Sequence, residues 1–383
     1  MKKFIRNNLS IIIRVGITLL LVIFLIVLNV LQSNSVFCEW WTVNISRFYQ
    51  TTVGAIFKYI PFSMTEIFFV NLVLGTIVLL VYLIIDFVKK RIKNGVSKVS
   101  TIALVYVAFI FTYVATTSLS YYRNPLPIEL YEEKVDKAKF REIIEYFLDD
   151  FNYCSTQLEY EENGEVKMPY SNKTLSRQIE KEYAKIKDSY FDSFTTYSKP
   201  MLSSFVYVEF QITGVYFGVL GESNYDLYMT HAEYPFTFAH EIAHQKGVMR
   251  ENDAQMMGAY ICLNSDDIFL RYSGYIYTFN SLLSLAHYTG VKDDYKELYQ
   301  KINPNILGNY KYISSYWKEH DILEEFASFW NNLYLKIFGS ESTDEYQDPP
   351  PVVDPGTNEI THFSRYQKLY FQAYLLNNNV DAT

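Results

Sequence analysis

One HExxH pentapeptide, at residues 240–244, has the residue types and the spacing of a metal centre. His240 and His244 are four positions apart, so on an α-helix their imidazoles project from one face, about one turn apart, and could bind the same ion. Glu241 follows the first histidine, where it could take a proton from a metal-bound water. The pattern predicts a Zn²⁺ site with two histidine ligands and Glu241 as the catalytic general base.

The third ligand is expected from the chain that follows the pentapeptide. Gly247 stands where a glycine can end the helix, and a new helical pattern begins near Arg250. Glu251 and Asp253 then come within reach, but residues two apart on a helix point to nearly opposite sides. We favour Glu251, because the small Ala254 on its face permits close packing, and Asp253 is the alternative.

Two further histidines could assist such a site. His231 precedes the pentapeptide by nine residues and His287 lies in SLLSLAHYTG. Either could stabilise an oxyanion. A structural or surface role is the competing interpretation, and it is preferred for both.

Composition argues against a nucleic-acid-binding protein and against a structure based on cysteine pairs or cysteine-bound zinc. The chain has 383 residues, a formal charge of −8, 35 Tyr and 28 Phe. Its acidic balance, with basic clusters only beside the apolar runs, argues against nucleic acid as a partner. Cys38, Cys154 and Cys262 are too few and too scattered for a disulfide framework or a thiolate zinc cluster.

Residues 1–120 are organised by three apolar runs, each long enough to cross a bilayer as a helix. The predicted spans are about 10–32, 66–88 and 100–120. The first run is too long for a signal peptide and lacks a small-residue cleavage site. The sequence therefore predicts a multi-pass protein of the cell membrane, with the lipid bilayer as a partner.

The positions of Lys and Arg predict the orientation of these spans. The N-terminus, MKKFIRNN, and the connector KKRIKNGVSK between spans two and three are basic, whereas the loop from Ser33 to Thr65 holds only Arg47 and Lys58. Basic segments stay in the cytoplasm. The N-terminus is then cytoplasmic, and residues 121–383 form an extracytoplasmic domain that contains the HExxH pentapeptide.

The predicted extracytoplasmic domain is mostly helical, so the fold class is mainly α with a small β element. Amphipathic helical patterns occupy EEKVDKAKFREIIEYFLDDFNY, TLSRQIEKEYAKIKDSYF and IFLRYSGYIYTFNSLLSLAHY, and a shorter one occupies FSRYQKLYFQAYLL. Residues 201–224 are rich in β-branched and aromatic residues, which indicates a strand pair. Residues 340–359 have the composition of a linker.

The chain resembles a bacterial family of membrane proteins of unknown function whose members look like zinc metallopeptidases. The resemblance rests on KYIPFSMTEI, SYYRNPLP, SKPMLSS, ITGVYFGVLGESN and HEIAHQKGVMRENDAQ, and covers nearly the whole chain. It implies three N-terminal spans followed by a gluzincin-like helical domain. Family members more often have Glu and Asn where this chain has Asp253 and Gln255. Since Asp is shorter than Glu, the departure also favours Glu251 as the third ligand.

Three classes of function follow, in order of preference. The first is a membrane-anchored zinc metallopeptidase that cleaves a peptide or protein substrate, with His240, His244 and Glu251 as metal ligands. The second is a non-catalytic zinc- or peptide-binding membrane protein that keeps the peptidase fold. The third is a transporter or sensor, for which Asn71 and Asp86 are the main intramembrane polar residues.

Overall fold

The computed structural model describes residues 2–128, 130–131, 135–195, 197–323, 325, 328–329, 351–353 and 360–378. The chain divides into two compact units. Two short segments from the second half of the chain belong to the N-terminal unit, although the residues on either side of them belong to the other unit. The first unit comprises Met1–Pro125, Lys199–Ser203 and Tyr216–Asn224, and the second comprises Leu126–Ser198, Ser204–Val215 and Tyr225–Thr383. A simple division after residue 120 does not include these two returning segments.

The first unit is built from five α-helices, of which three are long and apolar enough to cross a membrane. The membrane-capable stretches are Asn7–Leu31, Met64–Val88 and Ile92–Tyr122, the last of which includes the 3₁₀ turn Ser118–Tyr122. The five helices are α1 (Lys2–Leu31), α2 (Ser35–Trp41), α3 (Arg47–Phe57), α4 (Met64–Val88) and α5 (Ile92–Thr116). The chain is therefore a membrane protein with three helices capable of spanning the bilayer.

Helix α5 begins at Ile92, earlier than the predicted start of the third span at about residue 100. The basic connector is consequently short, because only Lys89–Arg91 lie between α4 and α5. Lys98 forms an ion pair with Asp86, and Lys93 donates to the carbonyl oxygen of Asn7. Both lysines lie on α5 and bond groups on α4 and α1. Most of the predicted basic connector is therefore helical.

The segment between the first two spans, expected to be a loop, contains α2, a π-helical turn at Thr42–Ser46 and α3. Its side chains bond the free carbonyls at the C-terminus of α5. Trp41 and Ser46 both donate to the carbonyl of Ala115, at 2.8 and 2.7 Å, and Gln50 donates to that of Thr116 at 2.7 Å. The last carbonyls of a helix have no intrahelical partner, so these bonds complete the end of α5.

The two returning segments are fastened to the N-terminus of α4. The Glu222 carboxylate accepts the backbone N–H groups of Met64 and Thr65, at 3.0 and 2.9 Å, and forms a buried ion pair with Lys199. Glu66, in the first turn of α4, accepts the backbone N–H of Ser203 at 2.9 Å. Carboxylates are favourable at a helix N-terminus, where N–H groups lack partners and the dipole is positive.

The second unit is mainly helical. Its helices are α6 (Lys137–Thr156), α7 (Asn172–Tyr183), α8 (Ser204–Tyr207), α9 (Tyr234–Gln245), α10 (Glu251–Leu263), α11 (Ile268–Leu283), α12 (Asp294–Gln300), α13 (Pro304–Glu319) and α14 (Arg365–Asn378). All four helical patterns read from the sequence in this region correspond to one of them, although α7 ends earlier than its pattern.

The strands are few and short. Strands β1 (Lys199–Pro200), β2 (Gly214–Phe217) and β3 (Glu222–Tyr225) form one sheet in the order β1-β3-β2. The predicted strand pair is thus present as β2 and β3, but residues 204–210 of the predicted stretch are helical. Strands β4 (Val352–Val353) and β5 (Ile360–His362) pair antiparallel. Apart from residues 351–353, the predicted linker lies outside the described residues.

Two hydrophobic clusters stabilise the second unit. One joins α6, α11 and α14 through aromatic side chains such as Phe151, Tyr272 and Tyr370. The other surrounds α9 and α10 and includes Phe238 and Ile242. The predicted class, mainly α with a small sheet and three membrane-capable helices, is confirmed; the more specific gluzincin-like fold stays a prediction.

Candidate metal centre

The HExxH pentapeptide lies on α9, whose twelve residues are all buried. A capping box formed by Thr230 and Glu233 starts the short 3₁₀ turn that leads into α9. The Ser273 hydroxyl accepts the backbone N–H of Phe236 at 3.2 Å and donates to the carbonyl of Ala232 at 2.6 Å. The first turn of α9 is therefore bonded on the side that faces α11.

The end of α9 is set by Gly247, as the sequence predicts. Gly247 has a φ of +95°, a conformation that side chains with a Cβ rarely adopt. Its N–H bonds the carbonyl of His244 and the N–H of Val248 bonds that of Ala243, both at 3.0 Å. This pair of bonds is a Schellman motif. It reverses the chain within a few residues, so that α10 starts at Glu251 beside the pentapeptide.

The turn brings three potential ligand atoms together. The Nε2 atoms of His240 and His244 are 3.1 Å apart, and Glu251 Oε2 lies 3.3 Å from the first and 3.4 Å from the second. All three residues are buried, and within the described residues they form the one group of at least three histidine, cysteine or acidic side chains with this geometry. His240, His244 and Glu251 are thus the residues placed to hold an ion.

These distances suit a small tetrahedral cation. With bonds of about 2.0–2.1 Å, tetrahedral Zn²⁺ holds its ligand atoms about 3.3–3.4 Å apart. Two imidazole nitrogens and one carboxylate oxygen are also a donor set that zinc accepts. The other ring nitrogen of His244 bonds the carbonyl of Val248 at 2.7 Å. Because a carbonyl only accepts, that nitrogen carries the proton in the neutral ring and Nε2 keeps its lone pair.

Electrostatics within the cluster oppose the effect of burial. Burial lowers the pKa of His240. Burial also acts to lower the pKa of His244, but the neighbouring Glu251 carboxylate outweighs it and raises this pKa to about 9. Burial acts to raise the pKa of Glu251. The charge of His244 outweighs burial and holds the pKa of Glu251 far below its usual range. The Glu251 carboxylate therefore needs positive charge beside it, which an ion would supply.

Glu241 is on the same helix but is not one of the three clustered ligands. Its carboxylate is buried, and Oε2 has no hydrogen-bond partner among the described residues. Burial raises the pKa of Glu241 to about 8. Strand β2 passes so close to it that a Cβ added to Gly214 would lie 2.5 Å from Glu241 Oε1. A buried carboxyl with a raised pKa and an unpaired oxygen suits proton transfer.

Helix α9 is also supported by contacts that the sequence analysis did not identify. The Tyr183 hydroxyl donates to the carbonyl of Ala239 at 2.7 Å. Lys246, directly after α9, forms a buried ion pair with Glu180 at 2.8 Å and donates to the carbonyl of Phe194. These partners lie about 50 to 65 positions earlier in the chain, and no local pattern marks them. They fix the position of the helix that carries His240 and His244.

Asp253, the alternative third ligand, is engaged elsewhere. One of its carboxylate oxygens pairs with Arg250 at 2.8 Å and the other with Arg365 at 2.7 Å. It is absent from the group formed by the two histidines and Glu251. The opposite faces expected for residues 251 and 253 explain the difference, because the first faces α9 and the second faces the N-terminus of α14.

The two candidate helper histidines have structural contacts. His231 Nδ1 lies 3.1 Å from the carbonyl oxygen of Val166, and its backbone N–H donates to Glu165 at 3.1 Å. His287 stacks on Tyr295, with ring centroids 4.3 Å apart. Neither is in the clustered ligand group. These contacts favour the structural interpretation for both side chains.

Metal binding should distinguish the two acids. In the full chain purified in detergent and loaded with Zn²⁺, we expect Glu251→Ala to lose metal as His240→Ala does, because each removes one of three ligands. Asp253→Ala should keep metal and lose about 1–3 kcal/mol of stability, because it removes the carboxylate that Arg250 and Arg365 share. Metal content by atomic emission, with thermal unfolding as the control, measures both effects. Loss of metal from Asp253→Ala alone would transfer the ligand role to Asp253.

Comparison with known proteins identifies the family without an activity. No curated protein and no solved structure matches the chain. The profile described as "Protein of unknown function (DUF3810)" matches residues 41–348, which is most of the chain and includes the clustered His240, His244 and Glu251. The chain therefore belongs to the DUF3810 family of proteins of unknown function.

Proposed function

We propose that the protein is a membrane-anchored zinc metallopeptidase in which His240, His244 and Glu251 bind Zn²⁺ and Glu241 is the general base. The observation that carries the proposal is the set of three buried potential ligand atoms, 3.1 to 3.4 Å apart, which α9 and the first residue of α10 bring together. A cluster of this kind on a purely structural helix would be costly, because it buries a carboxylate and two imidazoles with little other hydrogen bonding.

Zinc would supply a Lewis acid that polarises a peptide carbonyl and makes water a nucleophile near neutral pH. Glu241 would accept the proton of the attacking water on its unpaired Oε2 and pass it to the nitrogen of the leaving amine. Burial raises the pKa of Glu241, which would help the carboxyl to hold the proton between the two steps, and the charge of a bound cation would lower this pKa so that the carboxylate is ionised for the first step. The Val248 carbonyl would keep the His244 ring in the tautomer that presents Nε2.

Strand β2 supports a peptide as the substrate. It stands at the end of the strand order β1-β3-β2, and Gly214 lies against Glu241. An extended peptide could add to such an edge by main-chain hydrogen bonds, which would bring a scissile bond beside the general base. Because the recognition would use the peptide backbone, we propose a peptide or protein substrate.

The alternative is a non-catalytic zinc- or peptide-binding protein with the same cluster. It would use the same ligands but would have no need for Glu241, whose buried, unpaired carboxylate favours the peptidase. The transporter or sensor hypothesis receives less support. Asp86 pairs with Lys98, and the Asn71 amide donates to the carbonyl of Ile67 in its own helix. Each polar group thus has a local structural explanation.

The orientation in the membrane is also a proposal. Arg14 on α1 donates to the hydroxyls of Ser97 and Ser100 on α5, at 2.6 and 3.0 Å. The basic N-terminus and the start of α5 therefore lie at the same end of the first unit. Since basic segments stay in the cytoplasm, we propose that this end is cytoplasmic and that residues 121–383 are extracytoplasmic.

Replacing the general base should separate binding from chemistry. We expect Glu241→Gln to keep its metal, because Glu241 is not a ligand, and to lose about 10²- to 10⁴-fold in the rate of peptide hydrolysis, the range for loss of a general base. The measurement is cleavage of a denatured-protein or peptide-library substrate, followed by mass spectrometry, with metal content determined in parallel. Full activity in this variant would favour the binding-protein alternative.

A methyl group at Gly214 should disturb Glu241 without unfolding the chain. The new Cβ would lie 2.5 Å from Glu241 Oε1 and 2.6 Å from its Cγ, so the whole Glu241 side chain is expected to turn away. Gly214→Ala should therefore reduce hydrolysis by at least tenfold while metal content stays near wild type. Gly308→Ala, whose Cβ would meet nothing nearer than 4.0 Å, is the matched control. Equal activity in both variants would remove Gly214 from the site.

Accessibility in intact cells tests the orientation. The native cysteines are buried, so an introduced cysteine can be labelled selectively. We expect a membrane-impermeant maleimide to label Glu159→Cys, whose side chain is 85% exposed in the second unit, and to leave Lys89→Cys unlabelled until the cells are opened. The reverse pattern would place the metal site in the cytoplasm.

A further inference from the structure

Strands β2 and β3 each have one end beside a membrane-capable helix and the other end beside the candidate metal centre. Each strand has four residues and passes from one compact unit into the other, between Val215 and Tyr216 in β2 and between Asn224 and Tyr225 in β3. An extended strand rises about 3.3 Å per residue. Covalent geometry therefore limits the distance between the two features that each strand contacts to about 10 Å plus the lengths of the side chains.

Strand β3 connects the N-terminus of α4 to the helix that carries the ligand histidines. The Glu222 carboxylate accepts the backbone N–H of Met64, the first residue of α4, at 3.0 Å. Three residues later, the ring of Tyr225 packs on that of Phe238 in α9, with centroids 4.6 Å apart. Phe238 precedes the first ligand histidine by two residues. The start of a membrane-capable helix and the HExxH helix are thus joined by three residues of extended chain.

Strand β2 makes a similar connection to the candidate general base. Its first residue, Gly214, lies against Glu241, because a Cβ added there would be 2.5 Å from Oε1 of that carboxylate. Its last residue, Phe217, packs on Phe69 of α4 and Phe109 of α5, with ring centroids 5.0 and 6.3 Å apart. Both of these partners lie within the stretches that are able to cross a membrane. The strand beside Glu241 therefore ends among the membrane-capable helices.

The length of α4 places its N-terminus at the bilayer surface. Its 25 residues rise about 37 Å, whereas the hydrocarbon core of a bilayer is about 30 Å thick. Met64 therefore lies in the interfacial region, where lipid headgroups meet water. Since β2 and β3 are only about 10 Å long, Glu241 and the histidine helix are held close to the headgroups. A site at this height is within reach of polypeptide that has just emerged from the bilayer.

We propose that the substrate is a membrane-anchored polypeptide, which is hydrolysed in the segment next to its transmembrane helix. The inference rests on the proposed peptidase function and names the substrate class. A peptide that adds to the edge of β2 runs along the strand, so one part of it lies beside Glu241 and its continuation lies beside Phe217 and the membrane helices. At about 3.3 Å per residue, the cleaved bond lies about three to six residues from the bilayer.

A substrate that carries its own internal comparison tests the proposal. It has one transmembrane helix followed by four identical copies of an unstructured ten-residue segment, and it is mixed with the full, Zn²⁺-loaded chain in phosphatidylcholine bicelles. The segment is one that the wild-type chain, but not Glu241→Gln, cleaves as a free peptide. We expect mass spectrometry to show the first copy, beside the helix, cleaved at least fivefold faster than the fourth, because a segment about 30 residues away reaches the bilayer surface less often.

The results of this experiment distinguish the substrate class from the peptidase activity. Equal cleavage of the four copies, or faster cleavage of the distal ones, would overturn the membrane-proximal substrate and leave the peptidase proposal intact. If the wild-type chain cleaves no segment at all, the peptidase proposal fails and its substrate class fails with it.

A distance measurement tests the position of the site without relying on hydrolysis. Leu227 lies two residues beyond β3 and is 45% exposed, so Leu227→Cys can carry a nitroxide label. It is five residues from Glu222, which is at most about 18 Å of extended chain. We expect nickel-chelating lipid headgroups to enhance the relaxation of this label, relative to the same bilayer without nickel. Tyr59→Cys, which is 85% exposed and lies just before α4, is the positive control. A response at residue 59 without one at residue 227 would overturn the inference, even in a protein that hydrolyses peptides.

Discussion

The buried turn between α9 and α10 is the feature on which the candidate site depends. It places ligand atoms of His240, His244 and Glu251 within 3.4 Å of one another, inside a buried helix pair that packs in an apolar cluster. Such a cluster is unstable without compensation, because burial acts to disfavour the charged form of each group. The opposed pKa changes of His244 and Glu251 show the compensation that the protein itself supplies. A divalent cation would compensate more completely, since it attracts all three ligands at once.

The surroundings of the turn are consistent with a site that must keep its geometry. Ser273 and Tyr183 bond backbone groups of α9, and Lys246 is anchored by Glu180 just beyond its end. Each of these bonds is buried or nearly so, and each fixes the helix that carries both histidines. Ligand atoms that are held before an ion arrives lose little conformational entropy when it binds. Glu241 differs, because its carboxylate is enclosed but has an oxygen without a hydrogen-bond partner. That combination is suited to proton transfer rather than to structural support.

The first unit is subject to a different constraint. In lipid, every backbone polar group and every charged group needs a hydrogen-bond or ionic partner. Arg14 bonds two serines, Asp86 pairs with Lys98, and α2 and α3 cover the last carbonyls of α5. The N-terminus of α4 is completed by Glu222, which lies on β3.

The sequence by itself determined the features that depend on neighbouring residues. The lengths of the apolar runs predicted three membrane-capable helices, the spacing of His240 and His244 placed both imidazoles on one face, and Gly247 marked the end of their helix. Helical geometry also separated Glu251 from Asp253, and the small Ala254 on the face of Glu251 favoured that acid as the third ligand. Only the tertiary structure showed why Asp253 is engaged elsewhere, because its partner Arg365 lies 112 positions away. The same is true of Gly214 against Glu241 and of the return of Lys199–Ser203 and Tyr216–Asn224 to the first unit. These contacts join residues far apart in the chain, so no local periodicity records them; they form because buried charges and helix ends must find partners wherever the fold brings them.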